Sequence, residues 1–503
     1  MHDEERASTL DLPPGELVEL GRAFGQLALE YLGAPEALPV FPDTSAERLA
    51  SLFGGGLPAE GVGLEALTGA CAEVFRQSRQ NGHPRMFGYV ASPATPVGAW
   101  ASLAAAALNS NVTSWRSAPG PTEVERTVVR WLAELIGFRG EGSNETSGGL
   151  LTSGGSMANL NALFVAHRTR VRDASRKGLW GESAPATLYA SDQVHLSIPK
   201  AADILGLGRE QVRVVPADEK FCLDVRLLRE RVEADVRAGM RPFCVVASAG
   251  TVATGAVDPL NEVADVAREH SLWFHVDGAY GALAASTPAK RALFEGIREA
   301  DSVSLDPHKW LYTPLGCGCL LLREPERARA AFAGTEEGYI KVFEREEAEA
   351  FAFWDYGTEL SRPFRALKVW ATLSYYGARR VSAAIEGDCA TAAYMAERVR
   401  AAEDFELLAP VTLGICCFRY VPAAVRRELE DKAKREETDA RLDGLNERVM
   451  QRVQRGGEAY VSNATLRGRF ALRASITNYR TTRRDIDLTL EVIRRAAREL
   501  EEE

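Results

Sequence analysis

The chain has 503 residues, 46% of them hydrophobic, and a formal net charge of −10 at pH 7. That length suits two or three domains with a sizeable core, while the acidic balance argues against nucleic acid as a partner. No apolar run reaches the roughly 18 residues that span a bilayer, so no membrane association is expected. The charged start Met-His-Asp-Glu-Glu-Arg does not read as a secretory signal, and a cytoplasmic location is expected.

Residues 10–80 carry helical periodicity, clearest in Glu16-Leu-Val-Glu-Leu-Gly-Arg-Ala-Phe-Gly-Gln-Leu-Ala-Leu-Glu30. The pieces are broken by glycines and prolines and hold little core of their own. Residues 1–80 are therefore expected to form a helical arm that packs on something else, such as a partner subunit. From 81 to 385, strand-like and helix-like segments alternate. Strands are predicted over 187–191, 212–216, 243–248, 272–277, 302–305 and 317–323, with helices such as 158–170 and 260–270 between them. Near-continuous apolar strands separated by helices predict an α/β domain built on a mostly parallel sheet covered on both faces. From 386 to 503 a smaller α+β domain is expected, with helices over 390–403 and from 484, and strands over 412–420 and 470–476. The charge-dense run 426–441 reads as a solvated helix. The eight cysteines show no CxxC pair and the seven histidines no HxxxH spacing, so buried free thiols and no metal site are expected.

Ligands of such sheets sit at the carboxyl ends of the strands, and the chemistry-bearing residues fall there. Leu151-Thr-Ser-Gly-Gly-Ser156 precedes a helix, and its glycines, hydroxyls and helix N–H groups can cradle an anion. Alone it is also an ordinary cap. His195, in Ser191-Asp-Gln-Val-His195, is either a satisfied polar residue or an imidazole stacked on a cofactor ring. Gly250-Thr251-Val-Ala-Thr-Gly-Ala-Val-Asp258 is a glycine-rich loop able to put a hydroxyl beside a cofactor. Leu272-Trp-Phe-His-Val-Asp277 ends an apolar strand in a carboxylate, which can hold a protonated pyridine nitrogen. Ser304-Leu-Asp-Pro-His-Lys-Trp310 fixes Lys309 on a proline-anchored turn, where desolvation makes an amine a better nucleophile toward a carbonyl. Singly, Asp277 is also a cap or half an ion pair, and Lys309 an ordinary surface lysine. Their order on successive strand ends suggests pyridoxal 5'-phosphate (PLP), an aldehyde held by lysine as a Schiff base.

These motifs, with His83-Pro-Arg-Met-Phe87, Phe364-Arg-Ala-Leu-Lys-Val-Trp370 and the stretch from Leu472-Arg to Thr481, resemble the group II PLP-dependent amino-acid decarboxylases, the aromatic-L-amino-acid branch above all. The match runs from about residue 82 to 482. The resemblance implies the type I PLP-dependent transferase fold, a seven-stranded sheet, and a homodimer with active sites at the interface. It implies that Lys309 carries the cofactor, Asp277 pairs with the pyridinium nitrogen, His195 stacks on the ring, and Gly155, Ser156 and His308 hold the phosphate, with Thr251 beside the cofactor. It makes Tyr339, in the charged stretch 334–350 that reads as a lid loop, the residue that protonates Cα after CO₂ leaves. A phenylalanine there would point to aldehyde synthesis, with peroxide and ammonia as products. A catalytically dead homologue would lack Lys309, Asp277 or His195, and all three are present.

The expected substrate is an aromatic L-amino acid of the tryptophan, tyrosine, phenylalanine or DOPA type, with Tyr89, Val90, Ser92, Thr113 and Trp115 as pocket candidates. Arg85 and Arg116 keep an acidic substrate as the alternative. Two departures from the family pattern stand out. Thr251-Val252 replaces two threonines. Asp306 stands where animal relatives carry asparagine, and a carboxylate facing phosphate would be unfavourable, so Asp306 is expected to point elsewhere or to bond backbone amides.

Overall fold

The structure is a computed structural model and describes residues 10–139, 147–171, 177–181, 184–333, 347–431 and 433–503. The chain opens with α1 (Pro14–Gly33), α2 (Ala46–Phe53) and α3 (Leu64–Arg76), none of which buries a single residue. Leu17, Val18, Phe24, Leu29, Leu52 and Phe53 are exposed on this arm. A short strand β1 (Met86–Phe87), α4 (Pro96–Leu108) and α5 (Pro119–Leu135) lead into the main sheet.

That sheet contains β2 (Gly148–Thr152), followed by α6 (Gly155–Arg170), then β3 (Ala186–Ser191), α7 (Ser197–Ile204), β4 (Val212–Val215), β5 (Arg241–Ser248), β6 (Trp273–Asp277), β7 (Ser302–Leu305) and β8 (Gly318–Leu322). Its seven strands run in the order β2-β8-β7-β6-β5-β3-β4. The five from β7 to β4 are mutually parallel, and β8 lies antiparallel to both its neighbours. Every residue of β3, β6, β7 and β8 is buried. A sheet covered on both faces requires such unbroken apolar runs, and they made these strands readable.

The C-terminal region adds β9 (Phe405–Leu407), β10 (Ile415–Tyr420), β11 (Tyr460–Leu466) and β12 (Arg469–Ser475). They join β1 in a five-stranded sheet ordered β1-β11-β12-β10-β9. Met86 and Phe87, expected within the large domain, thus pair in parallel with Tyr460 and Val461 of the small sheet. The expected boundary at 385/386 falls inside the helix Ala366–Ala401, which kinks at Gly377. One face of this helix serves both cores: Ile385 and Cys389 belong to the large one, Ala392 and Met395 to the small one.

The charged run 426–441 is only partly solvated. Thr438 is 1% exposed, and Asp439 lies 2.7 Å from the guanidinium of Arg419, a β10 residue with no exposed surface. The eight cysteines are unpaired. Among the described residues no helix is long and apolar enough to cross a membrane, and no cluster of three or more His, Cys, Asp or Glu could hold a metal ion.

Candidate active site

The carboxyl ends of β2, β3, β5, β6 and β7 open onto one cavity of about 690 Å³. Gly155, Ser156, His195, Thr251, Asp277, His308 and Lys309 all line it, so seven residues chosen from separate stretches of sequence meet in one place. Tyr339 lies outside the described residues.

At the anion end, β2 stops at Thr152 and α6 starts at Gly155. Gly154 caps α6 without a side-chain acceptor. Backbone N–H groups of a first turn have no partners within their own helix, and the dipole there favours negative charge. Gly155 is required by close approach: a Cβ would sit 2.7 Å from Ala279 Cβ and 2.9 Å from Asp306 Oδ2. His308 completes this end. Its Nδ1 lies 2.7 Å from the Cys317 carbonyl, and burial holds the imidazole below its ordinary pKa, with Asp306 opposing that shift.

Lys309 sits in the short helix Pro307–Trp310 that follows β7. Trp310 is fully buried, stacks on Tyr280 at 4.8 Å and donates from Nε1 to Asp388 Oδ2 at 3.0 Å. Tyr312 donates to the same oxygen at 2.8 Å. Burial pushes the Asp388 carboxyl up to about 7. Two anchored aromatic residues after the lysine leave its backbone little freedom.

Asp306 corrects the sequence expectation. It does not turn away: its Oδ2 lies 2.9 Å from Lys309 Nζ and 3.7 Å from His308 Nε2. Its Oδ1 is buried with no hydrogen-bond partner among the described residues.

At the far end of the cavity, Asp277 is held by its neighbours. Oδ2 accepts from Asn159 Nδ2 at 2.9 Å, and Oδ1 accepts from Ser304 Oγ and the Ala279 N–H at 3.2 Å each. Asn159 also donates to Ser197 Oγ at 2.9 Å, and its Oδ1 lies 3.0 Å from His275 Nε2. With its amide nitrogen turned to a carboxylate, Asn159 offers His275 only an acceptor. His275 Nε2 therefore carries the proton, and Nδ1 accepts from Ser302 Oγ at 2.8 Å. Ser302 Oγ in turn accepts from Trp273 Nε1. The Ser197 N–H donates to His195 Nδ1 at 3.2 Å, which puts the His195 proton on Nε2. Asn159, Ser197, Ser302 and Ser304 were not singled out from the sequence. Their signal was there: polar residues set into otherwise buried helix and strand faces, which must find partners.

Burial holds His275 neutral well below the ordinary imidazole range, with Asp277 opposing. An unfolded chain takes up a proton at histidine near pH 6.5, and the fold does not. Stability is therefore expected to fall as pH drops below that value, by up to about 1.4 kcal/mol per pH unit for this group. His83 and His167, both pushed down to about 4 chiefly by burial, add to the trend. Denaturant unfolding at about pH 7.5 and about pH 5.5 should show a smaller acid loss for His275→Gln than for the wild type. Equal losses would contradict this account.

Thr251 Oγ1 lies 3.0 Å from Thr254 Oγ1 and accepts from the Ala256 N–H at 3.1 Å. Arg473 was quoted only inside a motif, yet it braces this loop. Nε donates to the Val252 and Ala253 carbonyls at 3.0 and 3.2 Å, Nη1 donates to the Tyr89 carbonyl at 2.7 Å, and Nη2 is buried without a hydrogen-bond partner among the described residues.

The pocket candidates Tyr89, Val90, Ser92, Thr113 and Trp115 are not among the residues lining this cavity. Tyr89 is 54% exposed, Ser92 Oγ and Thr113 Oγ1 are buried without hydrogen-bond partners among the described residues, and the Trp115 backbone N–H donates to the Phe351 carbonyl. Arg85 is occupied elsewhere, donating to the Glu458 carbonyl at 2.7 Å and lying 3.4 Å from Asp485. Arg116 is exposed.

An anion cradle, a fixed lysine and a braced carboxylate in one cavity fit a ligand with a phosphate, a carbonyl and a basic ring nitrogen. Comparison with known proteins agrees. Residues 47–421 match the pyridoxal-dependent decarboxylase conserved domain. The aromatic-L-amino-acid decarboxylase of Bacillus atrophaeus is 32% identical over 477 residues, covering 95% of this chain and 94% of that protein. Human cysteine sulfinic acid decarboxylase is 30% identical over 505 residues, covering 99% of this chain and all of that one. The crystal structure of Oryza sativa TDC with PLP and tryptamine superposes with a TM-score of 0.89 at 27% identity, over 98% of this chain and all of that one. The chain belongs to the pyridoxal-dependent decarboxylase family, and it is a PLP-dependent carboxy-lyase acting on an amino acid.

Proposed function

We propose that the protein decarboxylates an aromatic L-amino acid to the corresponding amine and CO₂. The observation that carries this reading is the fate of the cations an acidic side chain would need. Arg85 is engaged by the Glu458 carbonyl and Asp485, and Lys309 is the sole Lys or Arg among the described residues that line the cavity. The similarity to the Bacillus atrophaeus enzyme supports the same reading.

Bound PLP supplies an electron sink for the pair left at Cα when CO₂ departs. The protein's own groups do the rest. Lys309 Nζ holds the cofactor and yields it to the substrate amine. Asp277, braced by Asn159, Ser304 and the Ala279 N–H, keeps a proton on the ring nitrogen. His195, its proton on Nε2, stacks over the ring. The first turn of α6 and His308 bind the phosphate. Arg473 braces the Thr251 loop through the Val252 and Ala253 carbonyls and ties it to the Tyr89 carbonyl. Tyr339 returns the proton to Cα, which favours amine over aldehyde as product. The exposed apolar residues of α1 and α2 are covered by a second copy of the chain in a homodimer, with Tyr89, Val90, Ser92, Thr113 and Trp115 completing the pocket at that interface.

The test is a panel assay of the PLP-loaded protein with tryptophan, tyrosine, phenylalanine, DOPA, glutamate, aspartate and cysteine sulfinate, reading amine, CO₂ and peroxide together. Amine and CO₂ from an aromatic substrate without peroxide are expected. Turnover confined to the acidic substrates would overturn the aromatic assignment, and stoichiometric peroxide would replace simple decarboxylation by aldehyde synthesis.

A further inference from the structure

We propose that Asp306 is the dock for the amine of Lys309 whenever that amine is free, and that it thereby sets how readily the lysine gives up the cofactor. The proposal rests on Lys309 being the cofactor lysine.

Three observations converge on Asp306. Its Oδ2 lies 2.9 Å from Lys309 Nζ, a contact across three residues of the helix Pro307–Trp310. The carboxylate is 4% exposed and the lysine 22%, so water screens this pair poorly. Its Oδ1 is buried and makes no hydrogen bond, so among the described residues Asp306 is not spent on another side chain or backbone amide. The adjoining turn leaves it room: at Gly155 a Cβ would sit 2.9 Å from Oδ2. Among the described residues the imidazoles of His308, with Nε2 at 3.7 Å, and His195 also feel its charge, and burial holds both below the ordinary imidazole range. Asparagine at this position would keep the shape and lose the charge.

The consequence lies in the exchange step. As a substrate amine takes the carbon that Nζ held, the bond from that carbon to the substrate nitrogen forms and its bond to Nζ breaks. The incoming ammonium gives up two protons, and both end on Nζ. The lysine therefore leaves as an ammonium, and no proton or electron is left over. Asp306 stands where that ammonium comes to rest. An opposite charge in a poorly solvated site favours the charged form, so the carboxylate pulls the exchange toward the substrate-bound side. It also keeps Nζ from returning early to the carbon it left.

The experiment uses the PLP-loaded enzyme and a substrate-independent probe, methylamine. Wild type, Asp306→Asn and Asp306→Glu are incubated with increasing methylamine and reduced with borohydride, and the cofactor fixed at Lys309 is quantified by peptide mass spectrometry. Competition occurs on bound cofactor, so any change in phosphate affinity cancels. Asp306→Asn is expected to need about tenfold more methylamine to displace half the lysine link, the factor that about 1.4 kcal/mol of lost charge stabilisation gives. Asp306→Glu is expected to stay near wild type. An unchanged midpoint in Asp306→Asn overturns the docking role, as does an equal shift in Asp306→Glu, which would make shape rather than charge decisive. Cofactor fixed at a different lysine in the wild type would instead defeat the assignment of Lys309 itself.

Discussion

Lys309→Ala is expected to lower decarboxylation by at least about 10³-fold and to remove all borohydride-trappable cofactor. The change deletes one amine and leaves Asp306, its partner at 2.9 Å, without that countercharge. The turn that carries Lys309 is fixed by Trp310 and Tyr312 on Asp388 and by the stack of Trp310 on Tyr280. Folding should therefore survive. Cofactor should still enter, because Gly155, Ser156 and Asp277 belong to other elements of the cavity wall. The variant should be a folded protein that binds PLP reversibly and loses it on dialysis, with no visible absorbance that borohydride bleaches into a covalent adduct. A trappable adduct in Lys309→Ala, mapped to another lysine, would sink the assignment. Asp306→Asn differs in kind, since it keeps the adduct and alters only how easily an amine displaces it.

How much of this site could be read from the sequence depended on where each residue stands relative to an apolar run. Asp277 and Lys309 follow strands whose every residue is buried, so run and polar terminus are visible together. Gly155 and Ser156 were visible because glycine and serine mark a helix start. The strand β2 was harder to place. Two of its five residues are glycines and its first two positions are only half-buried, so it lacks the periodicity that exposed the others. β11 alternates buried and exposed residues toward its end, and β1 is two residues long. Their pairing with one another is a contact across more than 370 residues that no local pattern encodes. The charge of Asp306 bears on Lys309 as well as on a phosphate, because Lys309, three residues on, lies one helical turn away on the same face. The braces Asn159, Ser197 and Ser302 act through each other rather than through any motif, and only the fold brings them together.

A buried ion pair beneath the anion cradle sets the largest expected stability effect. Glu125 of α5 and Arg362 have side chains 0% and 1% exposed, and they bond directly through Arg362 Nη2 and Glu125 Oε1. Glu125 Oε1 also accepts the Leu151 N–H at 2.9 Å, while Arg362 donates to the Leu151 and Val112 carbonyls at 2.8 and 2.9 Å and lies over the Phe353 ring at 4.2 Å. The pair ties α5 and the residues beside Val112 to β2, which runs directly into Ser153-Gly154-Gly155. Removing one partner leaves the other as an uncompensated buried charge, so Glu125→Ala is expected to cost about 3–5 kcal/mol. That loss should appear as a lower midpoint of denaturant unfolding and as weaker PLP retention, because the strand feeding the cradle loses a brace. The double variant Glu125→Leu/Arg362→Met, which removes both charges and keeps much of the volume, should be more stable than Glu125→Ala. A double variant as unstable as the single one would show that the hydrogen bonds to β2, rather than the orphaned charge, carry the cost.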